Sequence, residues 1–171
     1  MFKFVLILIY IYTMSICILY GSQTGNAAEI AKITYEMMKE RKITNAEICM
    51  SLDDYIKDIN IENFKNSISH LIVVCSTTGN GDVPENASKF WRKIKSRKLN
   101  SNLLEGVSYT VLGLGDSNYD QFCHAGKQIF KRLGELGATP FQSLVCVDEV
   151  GDMEENVEQW MNTTVKNLEK C

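Results

Sequence analysis

The stretch Gly21-Ser22-Gln23-Thr24-Gly25-Asn26 constrains the fold of this chain more than any other. It follows the apolar run Ile16-Cys17-Ile18-Leu19-Tyr20. It precedes apolar residues at helical spacing, Ala27, Ile30, Ala31, Met37 and Met38. That order reads as strand, tight loop, helix. A loop with two glycines and two hydroxyls at such a junction can wrap an anion. The helix N-terminus leaves backbone N–H groups unpaired and carries partial positive charge, and Ser22 and Thr24 add hydroxyl donors. Asn26, with Glu29 three residues on, resembles a capping box and sets the helix start there. The loop has neither the lysine of an ATP-binding P-loop nor the dinucleotide spacing. The expected ligand therefore carries one terminal phosphate and is neither ATP nor NAD. Taken alone, the stretch also reads as a plain Gly/Ser turn.

The same alternation continues downstream. After the first helix, to about Lys42, Ala46–Ser51 reads as a second strand, and residues 52–69 as a polar connection with a short helix at Ile61, Phe64 and Ile68. The run Leu71-Ile72-Val73-Val74-Cys75 suits a strand buried on both faces of a parallel sheet. The flexible loop Ser76–Asp82 follows, and then a helix marked by Ala87, Phe90, Trp91 and Ile94. Val107–Leu112 is a fourth strand, followed by the loop Gly113–Cys123. Ala125, Ile129, Leu133 and Leu136 mark a helix ended by Gly137. Phe141–Val147 reads as a fifth strand, and Val157, Trp160, Met161 and Leu168 as a last helix.

Five strands alternating with helices predict an α/β doubly wound parallel sheet with right-handed crossovers in three α/β/α layers. The expected order is the flavodoxin-like 2-1-3-4-5, in which strands one and three flank the switch point where ligands bind. The glycine-rich loops after strands one, three and four all fall at that carboxyl edge. Tyr119 is then the natural planar platform, with Phe122 near it. Glycines 79, 81, 113 and 115 let backbone approach a flat ring. Asp116, Asp120, Asp148 and Glu149 rim the site. The segment from Asp148 to Glu158 holds six acidic residues and no basic one, so it is either a solvated face or a surface that steers a basic partner.

With 171 residues the chain has room for one domain with a real core, and its net charge of −3 does not point to nucleic acid. The basic cluster from Arg92 to Lys98 is expected to complement a helix dipole. Six cysteines without C-x-x-C pairs read as reduced thiols of a cytoplasmic protein. His70 and His124 have no neighbours at ligand spacing, so no metal site is assigned. The Asn86-Ala87-Ser88 and Asn162-Thr163-Thr164 acceptor patterns carry no weight in a cytoplasmic protein.

Residues 4–20 are almost entirely apolar, but a bilayer span of about 20 residues would have to consume the strand that feeds the first loop. No small-residue cleavage site separates the two roles, and Met14 makes a natural start. Residues 1–14 are therefore read as an extension outside the fold or a start-site artefact, with no stable membrane span, and 15–171 as the domain. A short membrane-associating tail is the lesser alternative.

Together the three loops resemble the FMN-binding domain of the diflavin reductases. The likeness rests on Gly21–Ala27, on Ser76-Thr77-Thr78-Gly79-Asn80-Gly81-Asp82, and on Leu112–Cys123 with Gly126-Lys127 and Lys131–Ala138 behind it. It covers about residues 15–165. The Ser-Thr-Thr-Gly loop and the Phe122-Cys123 pair are similar to the branch that reduces methionine synthase. Phe90-Trp91-Arg92 is similar to the branch that serves iron–sulfur cluster assembly.

The resemblance implies FMN as cofactor and one-electron transfer, with electrons received from an FAD/NADPH reductase domain and passed to a basic acceptor protein such as methionine synthase. It implies that Ser22, Gln23, Thr24, Gly25, Asn26 and Ala27 hold the phosphate. Ser76, Thr77, Thr78 and Gly79 form the second wall, with the Gly79 backbone at the flavin edge. Leu114, Gly115, Asp116, Ser117, Asn118, Tyr119, Asp120, Gln121, Phe122 and Cys123 form the third, with Tyr119 stacked on the ring and Glu149 near it. Thr78 stands where many members place a second aromatic. The FAD and NADPH parts are not in this sequence, so the expectation is a fragment, a truncated product, half of a two-protein system, or a stand-alone flavodoxin-type carrier.

Overall fold

In a computed structural model of the chain, residues 15–43 and 45–170 are described; the extension assigned to residues 1–14 lies outside them. The strands are β1 (Ser15–Gly21), β2 (Ala46–Ser51), β3 (Ile68–Ser76), β4 (Ser108–Gly115), β5 (Thr139–Pro140) and β6 (Val145–Asp148). The helices are α1 (Asn26–Glu40), α2 (Leu52–Asp58), α3 (Phe64–Ser67), α4 (Ser88–Ile94), α5 (His124–Glu135) and α6 (Met153–Leu168), with single 3-10 turns at Ile61–Asn63 and Glu85–Ala87. The strands form one parallel sheet in the order β2-β1-β3-β4-β5, and β6 also pairs with β4. The doubly wound order expected from the sequence is the observed one.

Period-two alternation along the strands divides the core in two. Cys17, Leu19, Leu71, Val73, Tyr109 and Val111 face one side, where residues of α2, α3, α4 and α5 cover them. Ile16, Ile18, Ile72, Val74, Leu112 and Leu114 face the other, under α1 and α6. Both faces are buried, which is why β1 and β3 read as unbroken apolar runs rather than alternating ones. The central side chains Ile18, Leu19, Leu71 and Ile72 are wholly inaccessible.

Two expectations need correction. The fifth strand is not continuous over Phe141–Val147. β4 advances three residues, from Tyr109 to Leu112, while its outer partner advances five, from Pro140 to Val145. Two residues are therefore looped out. The break is held from below: Gln142 Oε1 accepts from the Thr164 hydroxyl of α6 at 3.1 Å, and the Phe141 ring packs edge-on against His70 at 5.4 Å. Segment 52–69 is also more ordered than a polar connection. Ser51 caps α2 by accepting from the Asp54 N–H at 3.1 Å, and Ile68 opens β3 rather than closing a helix.

Candidate functional site

The carboxyl ends of β1, β3 and β4 carry three loops, and each is fixed by different local chemistry. The first runs from Ser22 to Gly25. Gly21 ends β1 where a β-carbon would stand 2.9 Å from Ala87 Cβ and 3.0 Å from Cys75 Sγ, so only glycine lets the chain turn there. The Ser22 N–H donates to Asn86 Oδ1 at 2.9 Å, and Ser22 Oγ accepts from the Gly25 N–H at 3.1 Å. Gly25, with φ of 107°, is the residue that caps α1.

The expected capping box therefore does not form. Asn26 is already helical, and its side chain reaches away, donating from Nδ2 to Glu149 Oε1 at 3.0 Å. The Glu29 N–H bonds to the Gly25 carbonyl. A glycine in the left-handed region makes the turn, and the asparagine is released for a long-range contact. Ahead of α1, the N–H groups of Asn26 and Ala27 lie in the first turn, where a helix has no internal partners for them. Gln23, Thr24 and Gly25 are exposed around that opening, while the Ala27 side chain is buried, so Ala27 offers only its backbone.

The second loop is a small closed turn. Thr78 and Asp82 form an antiparallel bridge, with Thr78 N–H donating to the Asp82 carbonyl at 2.9 Å. Gly79 and Gly81 both have positive φ. The Ser76 hydroxyl donates to the Gly21 carbonyl at 3.3 Å, and Thr77 Oγ1 accepts from the Ala125 N–H at 3.3 Å. This loop is thus tied to the first loop on one side and to α5 on the other. Gly79 and Asn80 stand exposed at its tip.

The third loop leaves β4 at Gly115. Asp116 Oδ1 accepts from the Asn118 backbone N–H and side chain, both at 2.8 Å, an Asx turn that presents the residues after it. Tyr119 follows, 65% exposed. Phe122 turns instead toward Lys127, whose ammonium lies 5.3 Å from the ring centroid. Leu114 and Cys123, both assigned to the site, are wholly buried. They support the loop from beneath. Gln121 packs beside Gly81, where a β-carbon would be 3.0 Å from Gln121 Cβ, so loops two and three touch.

A fourth segment joins them. The Glu149 N–H bonds to the Gly115 carbonyl at 2.8 Å, while its carboxylate holds Asn26. Asp148 Oδ1 accepts from the Ser117 and Val150 N–H groups. Ser117 and then Val150 hold that carboxyl below the usual carboxylate range by hydrogen bonding to its charged form. Asp120 is exposed on the third loop, and Asp152, Glu154, Glu155 and Glu158, also exposed, carry the negative charge from the start of α6 along its first turns. Sequence reasoning missed Asn86, which braces loop one from 64 residues away, and Asp53, whose carboxylate accepts from the Lys89 and Phe90 N–H groups and caps α4. Asp53 lies in no motif, and Asn86 only in the acceptor pattern given no weight above. A polar residue at a helix boundary was the only signal either could have given.

Three comparisons agree with this geometry. A family model described as flavodoxin matches residues 18–160. The chain is 40% identical over 157 residues to methionine synthase reductase of Bos taurus, covering 90% of this chain and 21% of the relative. It is 38% identical over 138 residues to NADPH-dependent diflavin oxidoreductase 1 of Candida albicans, covering 81% of this chain and 23% of the relative. The chain thus spans between a fifth and a quarter of the length of these two curated relatives. Among solved structures, a point mutant of flavodoxin from Pseudomonas aeruginosa superposes with a TM-score of 0.72 at 27% identity, over 91% of this chain and 99% of that one. Among the described residues no helix is long and apolar enough to cross a membrane. On the family match, the fold and the three converging loops, this chain belongs to the flavodoxin family of FMN-binding domains.

Proposed function

We propose that the chain is the FMN-binding electron-transfer domain of a cytoplasmic diflavin reductase of the methionine synthase reductase type. In this reading it takes electrons from an FAD/NADPH domain and hands them to methionine synthase. The observation that carries the reading is the convergence of three differently built loops on one sheet edge, with a helix N-terminus at one end and an exposed tyrosine at the other.

The residues fit the cofactor. Loop one offers the Asn26 and Ala27 N–H groups and the Thr24 hydroxyl to a phosphate beside an open, left-handed Gly25. Gly79 offers a backbone without a side chain nearby, since a β-carbon there would meet nothing within 4 Å. Tyr119 offers a free ring face. FMN, when bound, supplies one-electron chemistry; the chain's part is to hold it, keep the ring edge near the surface and set the charge around it. Asp148, held ionised by Ser117 and Val150, and Glu149 keep that edge negative.

The test is titration with FMN and FAD, following flavin fluorescence. FMN should bind and be quenched, and FAD should not. Tyr119→Ala should weaken FMN binding several-fold with the circular dichroism unchanged, because aromatic stacking contributes about 0.5–1.5 kcal/mol beyond burial. A protein that quenches neither flavin overturns the reading.

The acceptor is tested separately. Screening acts over about 8–10 Å at ordinary salt, and rim charges mainly set encounter rates. Reversing Asp152, Glu154 and Glu155 to Lys should slow oxidation of the reduced domain by the activation domain of methionine synthase at low salt, and leave FMN affinity unaltered. The 38% identity to diflavin oxidoreductase 1 favours a second reading, a domain serving iron–sulfur cluster assembly. Faster oxidation by an acceptor of that pathway than by methionine synthase would select it.

A further inference from the structure

Two cysteines meet beneath the third loop without forming part of the proposed flavin contacts. Gly113 of β4 pairs in the ladder with Cys146 of β6. Partners across a parallel ladder project to the same face, on strands about 4.8 Å apart. Gly113 has no side chain to fill its place on that face, and Cys123 enters it from the start of α5. The Cys123 β-carbon lies 3.3 Å from where a Gly113 β-carbon would stand. Its sulfur sits 3.3 Å from the Gly113 carbonyl and 3.6 Å from the carbonyl of Val147, the residue after Cys146. The two thiols therefore share one place on this face of the sheet, close enough to influence each other's ionisation. A disulfide needs β-carbons about 3.5–4.5 Å apart, and the vacant side-chain place at Gly113 is where Cys123, from α5, and Cys146, from the neighbouring strand, come together.

We propose that Cys123 and Cys146 are a peroxide-oxidisable pair that closes into an intramolecular disulfide under the third loop.

The two members have distinct roles. Cys146 is half-buried and reachable, whereas Cys123 is wholly buried. The neighbouring Cys123 thiol, aided by the Lys127 charge, lowers the Cys146 thiol below its ordinary value, while the same neighbour and burial raise that of Cys123. The other thiols among the described residues contrast with Cys146. Burial pushes Cys75 up to about 12 and Cys17 up to about 11, and raises Cys49. The thiolate is the nucleophile and the oxidant must reach it, so the half-buried Cys146 reacts before the wholly buried Cys123.

Its sulfur attacks hydrogen peroxide, forming an S–O bond and breaking the O–O bond. This gives a sulfenic acid and one water. The Cys123 sulfur then attacks that sulfenic sulfur. An S–S bond forms, the S–O bond breaks, and the hydroxyl leaves as a second water with the Cys123 proton. Two thiols are oxidised and one peroxide is reduced. A dithiol reductant reverses the step by exchange. Cys123 sits at φ of 53° at the junction of the loop with α5, so the bridge would fasten that junction to β6.

The experiment treats the full chain with hydrogen peroxide, blocks free thiols with N-ethylmaleimide under denaturing conditions, and maps non-reduced peptides by mass spectrometry. The expected product is a cross-linked peptide pair carrying Cys123 and Cys146, lighter by two hydrogens and lost on treatment with dithiothreitol. In Cys123→Ser, Cys146 should stop at a sulfenic acid trapped by dimedone. In Cys146→Ser, Cys123 should stay unmodified. The wild-type map decides the matter even if a variant fails to fold. Cys146 carried to sulfinic acid with Cys123 still alkylated, a bridge to Cys49 instead, or both thiols unreacted would each overturn the proposal. None of these outcomes depends on flavin binding.

Discussion

The two flanks of β4 hold it in opposite ways. On its inner side, β3 pairs with it through seven consecutive positions, from His70↔Ser108 to Ser76↔Leu114. On its outer side, β5 supplies two pairs at one end and β6 four at the other, with a looped-out gap between. The inner ladder carries loops two and three at its end, so a shift there would move both walls of the site. The outer edge carries the Cys146 and Glu149 contacts at its intact end only. A parallel sheet can therefore concede continuity at its margin while keeping it between the strands that position a ligand.

The largest expected effect separates the flanks by stability. Ile72, wholly buried on β3, should cost about 2–5 kcal/mol when replaced by Ala, through lost transfer energy and the cavity left behind. Val145→Ala, on the half-buried edge, should cost about 1 kcal/mol or less. Chemical denaturation midpoints at constant slope measure both, and equal losses would erase the contrast.

Next comes the contact through which α5 leans on β4. A β-carbon at Gly126 would stand 2.8 Å from Gly113 Cα, which is backbone and cannot swing aside. Gly126→Ala gains about 1 kcal/mol of helix propensity but meets an overpacking cost of about 1–3 kcal/mol. A net loss is expected, together with weaker FMN binding as the third loop shifts, measured by denaturation and flavin titration. Gln142→Ala should do less, about 0.5–1.5 kcal/mol, because it removes one hydrogen-bond acceptor at the gap. If it instead matches Ile72→Ala, the gap is a structural keystone and the two flanks are not opposites.

The smallest effect is on pH dependence. Burial lowers the His70 pKa where its ring meets Phe141 at the gap. The folded state thus binds the proton less readily than the unfolded one, whose value is about 6.5. Stability is full above that value and falls as pH drops below it. His70→Asn should flatten this part of the stability curve, and an unaltered slope would show that His70 is not its source.

Most of the fold was legible because burial on both faces leaves a plain trace. The runs Ile16–Tyr20 and Leu71–Cys75 could hardly be anything but central parallel strands. The gap was not legible. Phe141–Val147 is mostly apolar throughout, and what breaks it is a glutamine serving two helical side chains from α6 and a ring seated on His70. Those are tertiary contacts with no local pattern. At the site, the glycine-rich loops announced themselves by composition. The capping box misled because Asn26 and Glu29 have the right spacing while Gly25, free to adopt positive φ, makes the turn first. Leu114 and Cys123 fell inside a motif yet point into the core, since a loop motif records its supports as well as its contacts.

The Asn26–Glu149 hydrogen bond joins residues 123 positions apart. Synthesis runs from the N-terminus, so the first loop emerges early and waits for its last brace. Until Glu149 has left the ribosome, Asn26 lacks that acceptor. The contact between the first loop and the fourth segment is therefore completed only when nearly the whole domain has been translated, and a chain halted before β6 can form the first loop without the residue that holds Asn26.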